Sequence, residues 1–166
     1  VLHGSFLAQT THDGTMHVML KQVLECEPDA AWHAIRSPEV FKAVSAPLLR
    51  FTPEGHVGDT WTQGEHPVTA RLLGLIPVGS QVIDLTYTER DGVRFVHDTG
   101  EPTSGALSII SYWHHTMAVS PTKDGRTLFR DRLLFDAEPL SLAVWPAIWA
   151  FWQWRGVQLQ RLAKTW

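Results

Sequence analysis

The stretch "EPLSLAVWPAIWAFWQWRGVQLQRLAKTW", residues 138–166, decides the fold. It carries no turn signal except Pro146, and Pro139 stands at its opening, so it predicts one long C-terminal helix. Leu140, Val144, Ala147, Ile148 and Phe151 fall on one stripe at helical spacing, which Leu162 extends. Trp145, Trp149 and Trp152 fall on an adjacent stripe, so the first half is apolar over much of its circumference. Arg155, Gln158, Gln160, Arg161 and Lys164 turn the second half polar. Pro146 should remove one backbone hydrogen bond and kink the helix, unless the main helix begins there.

A helix this apolar needs a partner surface, and the sequence ahead of it supplies one. From Leu48 to Ala137 the chain reads as short β-type runs: "GDTWTQGE", "PVTARLLGLIP", "SQVIDLTYTE", "VRFVHDTG", "ALSIISYWHHTMAV" and "RTLFRDRLLFDA". The separators are Glu65-His66-Pro67, Pro77-Val78-Gly79, Arg90-Asp91-Gly92, Pro102 to Gly105 and Lys123-Asp124-Gly125. No crossover helix fits between such closely spaced runs, so they predict an antiparallel meander. Before them, "TMHVMLKQVLEC" (15–26) alternates as a strand. "EPDAAWHAIRSPEVFKAVSA" then gives two short helices, with Pro28 opening the first and Ser37-Pro38 capping and opening the second.

Composition narrows the function classes. The 166 residues are 44% hydrophobic and 19% charged, an ordinary balance for one domain with a sizeable core. A formal charge of −3, with Lys and Arg scattered, lacks the basic excess that a nucleic-acid partner would need. Cys26 is the single cysteine, so no intrachain disulfide and no cysteine-based metal cluster can form, which fits a reducing, cytoplasmic setting. No apolar run reaches the roughly eighteen residues that span a bilayer, so no stable membrane insertion is expected. The opening "VLHGSFLAQTTHDGT" has neither an initiator Met nor periodicity; residues 1–14 read as a flexible or expression-derived segment ahead of a single domain over 15–166.

The phrases "AWHAIRSPEVFKAVSAP", "GDTWTQGE", "GLIPVGSQVI" and "DGRTLFRDRLLFDA", in the order strand, two helices, meander, long helix, resemble the helix-grip superfamily called START-like or SRPBCC. That superfamily includes polyketide cyclases and dehydrases, birch-pollen-allergen-type plant proteins and lipid-transfer START domains. The resemblance covers residues 15–165 and implies an α+β helix-grip fold. A curved seven-strand antiparallel sheet would wrap around the C-terminal helix, with two short helices after the first strand. It also implies a deep, mostly apolar pocket between sheet and helix. The architecture hosts carriers, cyclases and hydrolases alike, so the reaction is not implied by it.

The residues expected to line that pocket are Trp61, Tyr87, Phe95, Trp113, Met117, Phe129, Leu133, Ile148 and Phe151. The candidate chemistry lies in "SIISYWHHTMAV" (108–119), where successive strand residues face opposite sides, so only one of His114 and His115 can point inward. On the following strand, Phe129, Leu133 and Phe135 share a face with Asp131. A connection over Pro121 to Gly125 would set His115 opposite Asp131 and Trp113 opposite Leu133, giving a buried His–Asp pair able to act as a general base. A tight Asp124-Gly125 turn would instead bring His114 inward with no carboxylate opposite. The plainer reading of His115 is a packed, hydrogen-bonded residue, and that of Asp131 a structural partner of Arg50, Arg71 or a backbone amide. Asp84 reads as solvent-facing, while His97, Asp98 and Glu101 read as solvated residues at a Gly- and Pro-rich turn.

Nine histidines are many for this length, yet no His-Glu-x-x-His and no helical His pair appears, so no metal is expected. "GLIPVG" lacks the glycine spacing and the Lys of a phosphate loop, and no cofactor is expected. Three functions remain: a binder of a hydrophobic small molecule, a cofactor-independent cyclase or dehydratase using His115 and Asp131, and an interaction module or homodimer using the tryptophan stripe.

Overall fold

The computed structural model describes residues 9–10 and 15–166; the segment 1–14 otherwise lies outside the described residues. The chain runs β1 (Gln9–Thr10), β2 (Met16–Leu24), α1 (Pro28–Ala34), α2 (Pro38–Ser45), β3 (Leu49–Pro53), β4 (Gly64–Leu72), β5 (Ile76–Arg90), β6 (Val93–Asp98), β7 (Pro102–Gly105), a short 3-10 turn (Ala106–Ile109), β8 (Tyr112–Pro121), β9 (Thr127–Asp136) and α3 (Ser141–Ala163). All the strands form one antiparallel sheet in the order β1-β2-β9-β8-β6-β5-β4-β3, with β7 pairing the first part of β5. This is the expected α+β grip, with three differences of detail.

"GDTWTQGE" enters the sheet only at Gly64; the edge position belongs to β3, where Phe51 is buried. Trp61 sits in the preceding loop, held by its amide on the Arg36 carbonyl at 2.7 Å and by its own carbonyl accepting from the Tyr87 hydroxyl at 2.8 Å. The segment Pro102 to Gly105, expected as a turn, is β7. β5 is long enough, at 15 residues, to pair β6 along its second half and β7 along its first. Close backbone approach makes that crossing feasible: a Cβ on Gly100 would lie 1.9 Å from the Val82 carbonyl oxygen. Gly100→Ala is therefore expected to cost about 3 kcal/mol of stability, read as a lowered urea midpoint, because backbone rather than a side chain must move.

Period-two alternation builds the concave face. On β2, Met16, Val18, Leu20, Gln22 and Leu24 are buried, and on β9 Thr127, Phe129, Asp131, Leu133 and Phe135 are. α3 lies on this face, packed on β2 and α2. The tryptophan stripe, not the Leu140 stripe, meets the sheet: Trp145 and Trp152 are buried against Met16, Val18, Leu133 and Phe135. Trp145 donates to the His17 carbonyl at 3.0 Å, and Trp154 to the Ala46 carbonyl at 2.8 Å. Gly156 permits the approach, since a Cβ there would stand 2.6 Å from Leu20 Cδ2. α3 continues through Pro146; the donor lost there would have served Leu142, which is 72% exposed and open to water instead. Among the described residues, no helix is long and apolar enough to cross a membrane.

Candidate functional site

Between the concave sheet, α2 and α3 lies a cavity of about 150 Å³. That is an order of magnitude more than one ordered water requires. Its walls come from α2 (Val40, Phe41, Val44), β3 (Leu49, Phe51), β5 (Ile83, Leu85), β8 (Trp113, Met117) and α3 (Ile148, Phe151, Leu159). Of the residues expected from sequence, Trp61, Trp113, Met117, Phe129, Ile148 and Phe151 line it. Tyr87, Phe95 and Leu133 do not, each for a geometric reason. Tyr87 turns its ring toward Trp32, edge-on at 5.7 Å, and its hydroxyl to the Trp61 carbonyl. Phe95 lies on the outer face of β6, stacked on His97, because the inward positions there are Val96 and Asp98. Leu133 is fully buried but belongs to the neighbouring cluster under Trp145 and Trp152.

His115 is the inward histidine, 4% exposed, and its Nε2 stands 2.7 Å from Asp131 Oδ1. The two are not directly opposite: His115 pairs with Leu133, and Asp131 with Met117. The connection spans residues 122–126, one residue later than expected at each end, and Thr122 closes it by donating its amide to the Arg126 carbonyl. This moves the register by two residues and so leaves each side chain on its face. The pair meets on the diagonal, a distance the His115 ring spans by presenting its outer nitrogen to the carboxylate. On the opposite face, His114 sits 6.1 Å from His97, whose ring nitrogens face Thr88 at 3.1 Å and Thr116 at 3.3 Å.

Three further polar residues join the pair. Trp152 donates its indole N–H to Asp131 Oδ1 at 2.9 Å and lies edge-on to the His115 ring at 5.2 Å. Asp98 is buried on the cavity wall; its Oδ1 accepts the Asp84 and Gly100 amides, both at 3.1 Å, and its Oδ2 accepts the Trp113 indole at 3.4 Å. Arg155 reaches in from α3 with its guanidinium 4.8 Å over Trp152 and 5.8 Å over Phe151. Asp98 and Arg155 escape a reading of the sequence for different reasons. The inward parity of Asp98 is set by Val96, whose fellow hydrophobe Phe95 points the other way. Arg155 looks like the start of a solvated helix face until Gly156 is seen against Leu20.

Electrostatics divide the two carboxylates. Burial opposes ionisation of Asp131, but the His115 imidazole beside it, the Arg155 charge and the Trp152 donor outweigh burial and hold its carboxyl below the usual range. For Asp98 burial wins: its carboxyl is pushed up despite His115, two backbone amides and the Trp113 indole. Burial also works against the charge on Arg155, which Asp131 and Asp98 support in turn. With Asp131 ionised and accepting, a neutral His115 donates from Nε2, which makes Nδ1 its basic nitrogen. Among the described residues no group of three or more His, Cys, Asp or Glu side chains is gathered for a metal ion.

No protein-family model matches the chain, and no curated protein does. Solved structures do. A protein from Arthrobacter aurescens is similar over 96% of this chain and 92% of its own at a TM-score of 0.70 and 12% identity. A point mutant of norcoclaurine synthase from Thalictrum flavum, in complex with a transition-state analogue, is similar over 96% and 98% of the two chains, at 0.64 and 12% identity. CalU16 from Micromonospora echinospora is similar over 98% and 83%, at 0.56 and 12% identity. At these identities the likeness is one of architecture, reached independently of the residue phrases that first suggested it. The chain therefore shares the fold of these structures, a curved antiparallel sheet gripping a long C-terminal helix.

Proposed function

We propose that this protein binds a hydrophobic small molecule in the cavity between the sheet and α3. The observation that carries the reading is the composition of the wall: aliphatic and aromatic side chains on nearly every side, with the polar groups His115, Asp131, Asp98 and Arg155 converging on it. An apolar cavity with a few fixed polar groups is the usual form of a small-molecule site. Native mass spectrometry of freshly purified protein, followed by denaturing extraction, tests it. A co-purifying apolar molecule is expected, and protein with an empty cavity that also takes up no added apolar probe would contradict the reading.

The His115–Asp131 contact favours a second, enzymatic reading, in which Nδ1 of His115 removes a proton next to a bound carbonyl group. Such a base is expected to speed deuterium exchange into phenylbutanone by about a hundredfold or more over buffer. His115→Gln should abolish the gain while leaving binding of the ketone within a fewfold. Exchange at the buffer rate in the unaltered protein would reduce the pair to a structural role. Association through α3, the third reading, has fewer tryptophans to use, since Trp145 and Trp152 are buried against the sheet, while Leu140 and Leu142 are exposed beside the half-buried Trp149.

A further inference from the structure

Arg155 is a half-buried cation with no acceptor. Its Nε is sealed from solvent and unbonded, and among the described residues the guanidinium makes neither a hydrogen bond nor an ion pair with any protein oxygen. The nearby carboxylates take other donors instead. Asp131 Oδ1 receives His115 and Trp152, and Asp98 receives two backbone amides and the Trp113 indole. What holds Arg155 in place is its position over the Trp152 and Phe151 rings, which sets the guanidinium on the cavity wall without using its donors. A partly desolvated cation whose Nε has no partner is costly unless something supplies the missing acceptor.

We propose that the ligand is a hydrophobic carboxylic acid, whose carboxylate pairs with the Arg155 guanidinium while its apolar body fills the cavity. This rests on the small-molecule reading above and narrows it to a chemical class. The planar, two-oxygen carboxylate matches the guanidinium fork. A single negative charge also suits the surroundings: Asp131 lies beside Arg155 with its carboxyl held low, so a dianionic phosphate would bring more negative charge than Arg155 can balance. Arg36 also lines the cavity, but its Nε is occupied by the Trp32 carbonyl at 3.1 Å and its guanidinium lies over Trp32 and Tyr87. A neutral amphiphile would leave Arg155 as it is now, and an amine would meet it as a like charge.

The test is a matched series on one scaffold, phenylbutanoate, phenylbutanol and phenylbutylamine, titrated against the whole protein by calorimetry at neutral pH. The acid is expected to bind about tenfold to a hundredfold more tightly than the alcohol, the range of a charge-assisted pair, and the amine to bind worst. In Arg155→Gln the preference for acid over alcohol should fall to near one while the alcohol keeps its affinity. Arg155→Lys, which keeps the charge but not the fork, should retain a reduced preference. Alcohol binding that equals acid binding in the unaltered protein would overturn the proposal and leave the apolar cavity standing. So would an acid preference that survives in Arg155→Gln. Equal loss of both ligands in Arg155→Gln and Arg155→Lys would instead make Arg155 a structural counter-ion to Asp98 and Asp131, and binding of no member of the series would remove both the cavity reading and this one.

Discussion

Replacing Trp152 with Ala is expected to lower the free energy of unfolding by about 3–5 kcal/mol, the range for emptying a buried large aromatic site. Trp152 is 1% exposed and touches both halves of the interior. It packs against Met16, Val18, Leu133 and Phe135 on one side, and stands edge-on to Trp113, His115 and Phe151 on the other. The same ring supports the Arg155 guanidinium and supplies a donor to Asp131. Trp152→Phe separates these contributions: it keeps most of the apolar volume and should cost about 1–3 kcal/mol, because a buried carboxylate oxygen loses one of its donors. Urea midpoints with unchanged slopes would report both values. A Trp152→Ala protein as stable as the parent would show that the helix does not grip the sheet through this residue.

Asp131→Ala carries a second large effect, about 3–5 kcal/mol, since it removes the buried carboxylate that accepts from both the His115 imidazole and the Trp152 indole and leaves the two donors unpaired. The double replacement of His115 and Asp131 by Leu should recover part of that loss, because only the Trp152 donor then remains unpaired. The pH dependence follows from the directions of the two carboxylates. Asp131 is held low in the folded chain, so its stabilisation is present above the unfolded carboxyl value of about 3.9 and is lost as pH falls through the lower folded value. Asp98 is held high, so the folded state takes up its proton before the unfolded state does, and acidification through that higher value adds stability. The parent should therefore lose stability more steeply below about pH 4 than Asp131→Asn does. An Asp98→Asn protein should lack the gain that the parent shows on mild acidification. Denaturant midpoints taken across that range would give both slopes, and identical profiles for the parent and Asp131→Asn would show that Asp131 is not held ionised by its neighbours.

Element order was legible because it rests on strong local signals: a long helical pattern without turn residues, proline-opened short helices, and strands divided by Gly, Pro and Asp. What escaped was what depends on pairing across the sheet. β3 and β7 are short and owe their existence to neighbours, and Trp61 lies off the sheet because Arg36 and Tyr87 anchor its backbone. The His115–Asp131 pair was within reach because the side-chain alternation of both strands survives a register change of two. Asp98 and Arg155 were not. The aspartate was masked by the outward Phe95, and the arginine by a glycine whose purpose appears only when Leu20 stands against it. The two apolar stripes of α3 were seen, but which of them meets the sheet is decided by Trp145 and Trp152 fitting over β2 and β9.

The proposed apolar ligand would occupy the space bounded by Trp113, Trp152 and Phe151. The most direct measurement is a two-dimensional NMR titration of the indole N–H signals with phenylbutanol. The Trp113 and Trp152 indoles, which donate to Asp98 and Asp131 beside the cavity, are expected to shift saturably, while the Trp154 indole, bonded to the Ala46 carbonyl, stays in place. Saturable shifts confined to Trp154 or to surface amides, with Trp113 and Trp152 unmoved, would contradict that placement.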